Sequence, residues 1–500
     1  MTMPSHKRMP RRALLRGTVA AGAGAALWPL LDQTFAIGGE EITSGSYTIR
    51  FDQGRKQTIW GLGFEIQSDS IRSGNNGMDD KLVSGVPKDL TESERERFYE
   101  QMLKAGTGDR GFRYCRLAMG LYHRGLDKDK KRMVDRYKGQ TALLADMLKK
   151  AGVEGVSVEY WSPAPAWKST KSYIHGTLAS FEPDFLDALG DAMVDDLDYL
   201  VGKGVPISMW GLQNEPKVDP PYSGCKYSPE QYLKAFKAVA PKIKKKYPKT
   251  LIIADSQEGW SGGIGKALSA DPDALRHVDA WTYHRVGTDS SEQVKGDYTS
   301  GRKGKPVFNN EFEYLHYKTN PIGPRHTLNT AQSIMNWMTF QDAPTWFWLH
   351  ALKPTTNAEG KGYALGYWRP AEGKPFDGAP RLEPGHWDFN PLHWNALAGF
   401  LQYMPWDSVR YHVDEPKHSD GQPYTEHRIM AWRTPTNKPV FVVTNRAGKP
   451  FTYTVDTQTK GDFLGHRYGP STNNKSIGTK QGPKLTLTVP PMSIEFWAPR

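Results

Sequence analysis

Cysteine is nearly absent: Cys115 and Cys225 are the only two in 500 residues. That excludes a disulfide-built fold and a cysteine metal site, and both thiols are expected unpaired, Cys115 as a small buried group inside a strand. Histidine offers no compact ligand motif either. His386 and His393 stand seven apart across an expected helix start, so no metal is expected there. Long apolar runs are missing as well. Beyond the N-terminal region nothing reaches about 18 uncharged apolar residues, which excludes a helical membrane span in the mature chain. No glycine-rich dinucleotide fingerprint follows a strand-like run, so a cofactor-dependent oxidoreductase has no support.

The N-terminus is different in kind. Lys7 and Arg8 precede Arg11-Arg12-Ala-Leu-Leu-Arg16, and a weakly apolar Ala/Gly run from Gly17 to Leu31 ends at Thr34-Phe-Ala36. A basic pair, an uncharged run and a small-residue end mark a twin-arginine export leader, so residues 1–36 are expected to be removed and the mature chain to be periplasmic or extracellular. Removal takes away five cations, Lys7, Arg8, Arg11, Arg12 and Arg16, and one anion, Asp32, lowering the net charge from +11 to about +7. Nucleic acid is not the expected partner, because the densest basic stretch, Lys242-Ile-Lys-Lys-Lys246, closes a helical segment as a solvated face. An acidic, uronate-bearing polysaccharide fits the charge better.

Eight short apolar runs alternate with amphipathic stretches along the mature chain. They are Ile59 to Gln67, Phe112 to Gly120, Gly155 to Ala164, Ile207 to Pro216, Leu251 to Gln257, Val278 to Val286, Pro306 to Tyr314 and Ala343 to Leu352. Strands buried on both faces and joined by helices read this way, and eight of them predict an α/β chain built as a (β/α)8 TIM barrel over residues 59–404. Thr91-Glu-Ser-Glu94 and Ser228-Pro-Glu-Gln231 carry helix-start chemistry, and Phe185, Leu189, Met193, Leu197 and Leu200 recur at helical spacing. From about Pro405 the period falls to two, in Arg428-Ile-Met-Ala-Trp432, Pro439-Val-Phe-Val-Val-Thr444, Phe451-Thr-Tyr-Thr-Val455 and Leu485-Thr-Leu-Thr-Val489. That predicts a C-terminal β-sandwich over 405–500, joined by the alternating segment 37–58. A barrel with its own sandwich needs no partner for stability, so a monomer is expected.

Two of the runs end in a carboxylate. Val205-Pro-Ile-Ser-Met-Trp-Gly-Leu212 leads into Gln213-Asn214-Glu215-Pro216, and Pro306-Val-Phe-Asn-Asn310 leads into Glu311, 96 residues later. In barrel enzymes chemistry sits at the C-terminal ends of strands. Two carboxyl groups there suit cleavage of a glycosidic bond, one protonating the leaving oxygen while the other stabilises the oxocarbenium-like centre. The second must stay ionised, and Arg116, at the end of the second run, is the expected cation beside it. Glu313, two residues after Glu311, is the competing candidate, since strand periodicity does not separate i from i+2. The aromatic content of 12%, with 16 Trp and 23 Tyr, suits sugar stacking.

Several segments resemble glycoside hydrolase family 30. Tyr160-Trp-Ser-Pro-Ala-Pro-Ala-Trp-Lys168 resembles that family's strand-three motif, Leu212-Gln-Asn-Glu-Pro216 its acid/base motif, and Val489-Pro-Pro-Met-Ser-Ile494 the close of its C-terminal sandwich. The resemblance spans roughly residues 45–500 and implies a retaining β-glycosidase of plant or microbial glycans that needs no cofactor and no metal. It implies that Glu215 is the acid/base and Glu311 the nucleophile, with Asn214 on the sugar 2-hydroxyl. Arg116 would sit beside the nucleophile, and Tyr283 and His284 would hold it or line the adjoining subsite. Trp161, Trp346 and Trp348 would floor the sugar site. The first strand departs from the family pattern in carrying Glu65, Gln67 and Asp69, and the loop Gly362-Tyr-Ala-Leu-Gly-Tyr-Trp-Arg-Pro370 resembles a gripping insertion with Arg369 available for a uronate. The alternative is a barrel that has lost its chemistry and only binds carbohydrate.

Overall fold

The computed structural model describes residues 42–66, 90–104, 111–136, 138–257, 263–284, 289 and 302–500. Nearly all fall in the second of the chain's two units, Ser44–Arg500. The leader expected at residues 1–36 lies outside the described residues, as do Gln67 and Asp69.

Eight parallel strands form the barrel: β1 Gly61–Ile66, β2 Phe112–Met119, β3 Gly155–Tyr160, β4 Ile207–Gly211, β5 Leu251–Gln257, β6 Ala280–His284, β7 Val307–Phe312 and β8 Thr345–Pro354. They pair in sequence order, and β8 pairs both β7 and β1, which closes the ring. All eight coincide with the apolar runs of the sequence. The helix caps hold too: Thr91 Oγ1 accepts the Glu94 N–H at 3.3 Å, and Ser228 and Gln231 form a reciprocal capping box. After β5 the outer layer thins to two short helices, Ile264–Ala270 and Pro272–Leu275. Among the described residues no helix is long and apolar enough to cross a membrane.

Inside the ring, side chains stack in layers. The Phe347 ring of β8 stacks on Tyr114 of β2 and Phe308 of β7, with centroids 6.1 and 6.0 Å away, forming an aromatic plug below the strand ends. Gly63 of β1 makes room for it: a Cβ there would lie 2.2 Å from the Phe347 ring. Because that ring is held on two other sides, Gly63→Ala is expected to destabilise the fold by roughly 1–3 kcal/mol or more, read as a lower melting temperature. Phe347→Leu in the same chain should recover part of the loss.

The C-terminal domain is one antiparallel-rich sheet of nine strands. Its curl follows from connectivity. Ser44–Ile49 pairs with Phe451–Gly469 and with Val413–Asp414, near one end of the strand order, while Arg55–Ile59 pairs with Ser408–Tyr411 at the other end. A tight turn, closed by Gly54 N–H donating to the Arg50 carbonyl at 2.8 Å, joins these two strands. The sheet therefore bends round on itself, giving the two packed faces that period-two patterning predicts. It rests on the barrel helices Pro324–Phe340 and Pro391–Tyr403, where Phe400 meets Phe496 edge-on at 5.0 Å and Gly399 lies against the same ring.

Candidate active site

Arg116 is the hub of the site. At the fifth position of β2 its side chain points into the barrel above Tyr114, and it is fully buried. Its guanidinium reaches carboxylates on three other strands. Nη1 donates to Glu65 Oε2 of β1 at 2.5 Å and to Glu311 of β7, while Nε donates to Glu159 Oε2 of β3 at 2.9 Å. Nη2 donates to Glu159 as well and to Asn214 Oδ1 at 2.7 Å. The face of the group lies over Trp161, 4.5 Å from the ring centroid. Burial alone would lower the Arg116 pKa, but the charges of Glu159, Glu65 and Glu311 hold it well above the usual value.

Local backbone features deliver the acids. Beyond β4 the chain leaves the sheet through Gln213, Asn214 and Glu215. The Asn214 N–H donates to the Tyr160 carbonyl at 2.7 Å, and the Glu215 N–H to the Ser256 carbonyl at 3.1 Å. Glu215 has a φ of 43°, an uncommon left-handed conformation for a non-glycine residue, held by those bonds. On β7 the register against β6 slips between Tyr283 and His284, so that His284 pairs with Glu311 while Tyr283 pairs with Asn309. This bulge turns two consecutive side chains to the same network: Asn310 Nδ2 donates to Glu159 Oε2 at 3.1 Å, and Glu311 meets Arg116.

His284 links the two candidate catalytic carboxylates. Its Nδ1 lies 3.0 Å from Glu215 Oε1 and 3.6 Å from Glu311 Oε2, while Nε2 stands 3.5 Å from Arg116 Nη2. With a guanidinium N–H at Nε2, that nitrogen accepts and Nδ1 carries the proton toward Glu215. One carboxylate oxygen of Glu215, one of Glu311 and a His284 nitrogen all lie within 4.8 Å of one another. The trio has the donor types of a metal site, yet Arg116 already bonds Glu311 and faces His284, a fixed cation with which a metal ion would compete. The two catalytic candidates are also the least enclosed of the cluster, their side chains 12% and 8% exposed against 0–1% for Arg116, Glu65, Glu159 and His284. Substrate would arrive at that edge.

The structure thus brings together Glu215, Glu311, Asn214, Arg116, His284 and Trp161 from the sequence reading. Glu313 is buried beyond the end of β7 and is not among the partners of Arg116. Three aromatics are elsewhere. Trp346 and Trp348 alternate with inward-facing Phe347 and so point outward. Trp346 Nε1 donates to Ser333 of the helix Pro324–Phe340, and Trp348 packs on His393 of the helix Pro391–Tyr403 at 4.8 Å. They fill the strand–helix layer rather than floor the site. Tyr283, the neighbour of inward-facing His284, packs against Trp337 at 5.6 Å and under the Arg302 guanidinium at 4.6 Å. Arg369 donates to the Gly373 carbonyl within its own loop, and Ala364–Trp368 is a strand paired with the end of β8.

Glu159 was not anticipated. Its signal was a carboxylate inside the otherwise apolar Gly155–Tyr160. Burial lifts the Glu65 carboxyl well above its ordinary value; Arg116 opposes this, and the charges of Glu311 and Glu159 add to the rise. The site therefore holds a buried acid whose surroundings favour its protonated form.

No protein-family profile matches the sequence, and no curated protein does. The fold has relatives among solved structures. A glycoside hydrolase family 30 subfamily 8 xylanase from Clostridium acetobutylicum is similar with a TM-score of 0.65 at 15% identity, covering 91% of this chain and 99% of its own. A conserved exported protein from Bacteroides fragilis is similar at 0.68 and 13%, covering 91% and 100%. A family 51 arabinofuranosidase from Xanthomonas axonopodis pv. citri is similar at 0.58 and 12%, covering 92% and 100%. At these identities the likeness is one of fold: a (β/α)8 barrel with an appended β domain.

Proposed function

We propose that the protein is a retaining β-glycoside hydrolase acting on a β-linked polysaccharide or oligosaccharide by double displacement. The separation of the two carboxylates carries this reading. Oxygens of Glu215 and Glu311 within 4.8 Å of each other match the roughly 5–5.5 Å of a nucleophile and acid/base pair. The roughly 6.5–9.5 Å of an inverting enzyme, which must fit a water between them, does not match. In the first step Glu311 attacks the anomeric carbon while Glu215 gives its proton to the departing oxygen. In the second Glu215 takes a proton from water, and that water displaces Glu311.

Each neighbour has a share in this cycle. Arg116 donates to Glu311 and fixes its oxygen, the Nδ1–H of His284 orients the Glu215 carboxyl, and Asn214, whose oxygen is committed to Arg116, directs its amide N–H groups at the sugar. Two of the fold relatives, a xylanase and an arabinofuranosidase, are glycosidases, in keeping with this assignment. The expected leader is in keeping with a reaction outside the cytoplasm, on an extracellular glycan. Hydrolysis of β-linked aryl glycosides and glycans, followed by proton NMR, tests the mechanism: the first product should have the β configuration. An α product would overturn it. Glu215→Gln should lower kcat/KM on substrates with poor leaving groups by about 10³-fold, and much less on activated aryl glycosides, which need little protonation.

A further inference from the structure

Of the buried polar atoms that the mechanism leaves unused among the described residues, two lie on neighbouring strands at the same end of the barrel. Glu65 of β1 gives Oε2 to Arg116, and its Oε1 is buried without a hydrogen-bond partner among the described residues. His350 of β8, the register partner of Glu65, is equally buried, and its Nδ1 has no hydrogen-bond partner among the described residues. Paired residues on adjacent parallel strands present their side chains to the same face, and the strands lie about 4.8 Å apart, a span that two hydroxyls of one sugar ring can reach. A shift in register between Trp348 and His350 breaks the outward phase of Trp346 and Trp348. Unsatisfied buried polar atoms are rare in native structures because each costs free energy, and a ligand that satisfies both removes that cost.

We propose that Glu65 and His350 form a recognition pair for hydroxyl groups of an uncharged sugar ring seated beside Glu311, and so set the specificity of the innermost subsite. The inference rests on the glycosidase reading above. The chemistry of the pair is complementary. A buried carboxyl that keeps its proton donates from one oxygen while the other accepts from Arg116. Burial, then Lys353 and Arg116, hold His350 well below its ordinary pKa, leaving a neutral imidazole with one donor and one acceptor nitrogen. A uronate carboxylate at this position would add a negative charge beside Glu159 and Glu311, which already share one arginine. The uronate suggested by the overall charge therefore belongs, if anywhere on the glycan, outside this subsite.

The test uses aryl β-glycosides of the preferred sugar, the same glycosides with each hydroxyl in turn replaced by hydrogen, and the corresponding uronide. In the wild type one deoxy position should lower kcat/KM on the order of a hundredfold or more, because a site built for a hydroxyl rejects its absence. In Glu65→Ala that penalty should shrink to a few-fold, and His350→Leu should do the same at the same or the adjacent position. Glu65→Gln, which mimics the protonated acid and keeps the contact with Arg116, should retain it. A uniform loss on all glycosides with the penalty unchanged in Glu65→Ala would overturn the proposal, as would preference for the uronide. If the wild type hydrolyses none of the glycosides, the glycosidase reading fails separately. Calorimetric binding of the same set then decides: a deoxy penalty present in wild type and absent from Glu65→Ala supports the pair, and any other pattern overturns it.

Discussion

Replacing Glu311 by alanine should abolish turnover, with kcat reduced on the order of 10⁴- to 10⁶-fold, while the protein stays folded. Two observations make this the largest kinetic effect expected of any single carboxylate. Glu311 is the acid that both meets Arg116 and lies in reach of His284 Nδ1, so its oxygen is held at the position from which an anomeric carbon would be attacked. Its loss also leaves Arg116 with Glu65 and Glu159 as partners, so the cation is not stranded. The space vacated lies against a guanidinium and suits a small anion. Azide should therefore restore activity toward an activated aryl β-glycoside, and the product should be the α-glycosyl azide, since azide attacks from the face that Glu311 occupied. Azide rescue of Glu215→Ala should instead give the β-glycosyl azide, formed from the covalent intermediate. The two products assign nucleophile and acid/base independently of any rate. Glu313→Gln, measured alongside, should cost far less; abolition of activity by Glu313→Gln, with Glu311→Ala still active, would reverse the assignment.

Much of this was legible in the sequence, for a physical reason. Parallel barrel strands are buried on both faces, so they read as unbroken apolar runs, and Leu251 to Gln257 was bounded to the residue. The acids were visible because a carboxylate at the end of such a run is out of place unless chemistry requires it. Facing was not legible. In Thr345-Trp-Phe-Trp-Leu-His350 both phases of the alternation are bulky, and either could have lined the barrel; only the stacking of Phe347 between Tyr114 and Phe308 decides it. The same limit explains Tyr283. Adjacent residues on a strand face opposite sides, so Tyr283 and His284 could not both reach the site. Asn310 and Glu311 do so only because a bulge intervenes, and a bulge of that kind leaves no mark in the residues themselves. In the C-terminal domain, period-two patterning located the strands but not their pairing, so the curl that carries Ser44–Ile49 and Arg55–Ile59 toward opposite ends of one sheet emerged only from the structure.

Glu65 and Glu159 show what a sequence withholds about charge. Each is a lone acid in a buried run, and nothing local says that both converge with Glu311 on one arginine. That convergence makes Arg116→Met the substitution expected to cost most in stability. Removing one partner of a buried ion pair typically costs about 3–5 kcal/mol, and here one cation serves three acids. The loss should depend on pH in a defined direction. The Glu65 carboxyl is already lifted by burial while Arg116 is present, and without that cation it must rise further. A carboxyl whose folded pKa is raised above its unfolded value contributes stability that is intact below the unfolded pKa and is lost as pH rises through the folded one. The gap in melting temperature between Arg116→Met and wild type should therefore be small near pH 4 and, followed up to pH 8, widen once pH passes the folded pKa that Glu65 has in the wild type, since below it both proteins hold that proton. Activity should collapse in the same variant, since the nucleophile loses the guanidinium that fixes its oxygen, and kcat at pH 7 should fall on the order of 10³-fold. Arg116→Lys should recover part of the stability by restoring the charge, but little of the activity, because an ammonium cannot reproduce the fixed fork that spans Glu65, Glu159, Glu311 and Asn214. A gap in melting temperature that is flat across this pH range would mean that the three acids do not share the cation as the geometry requires.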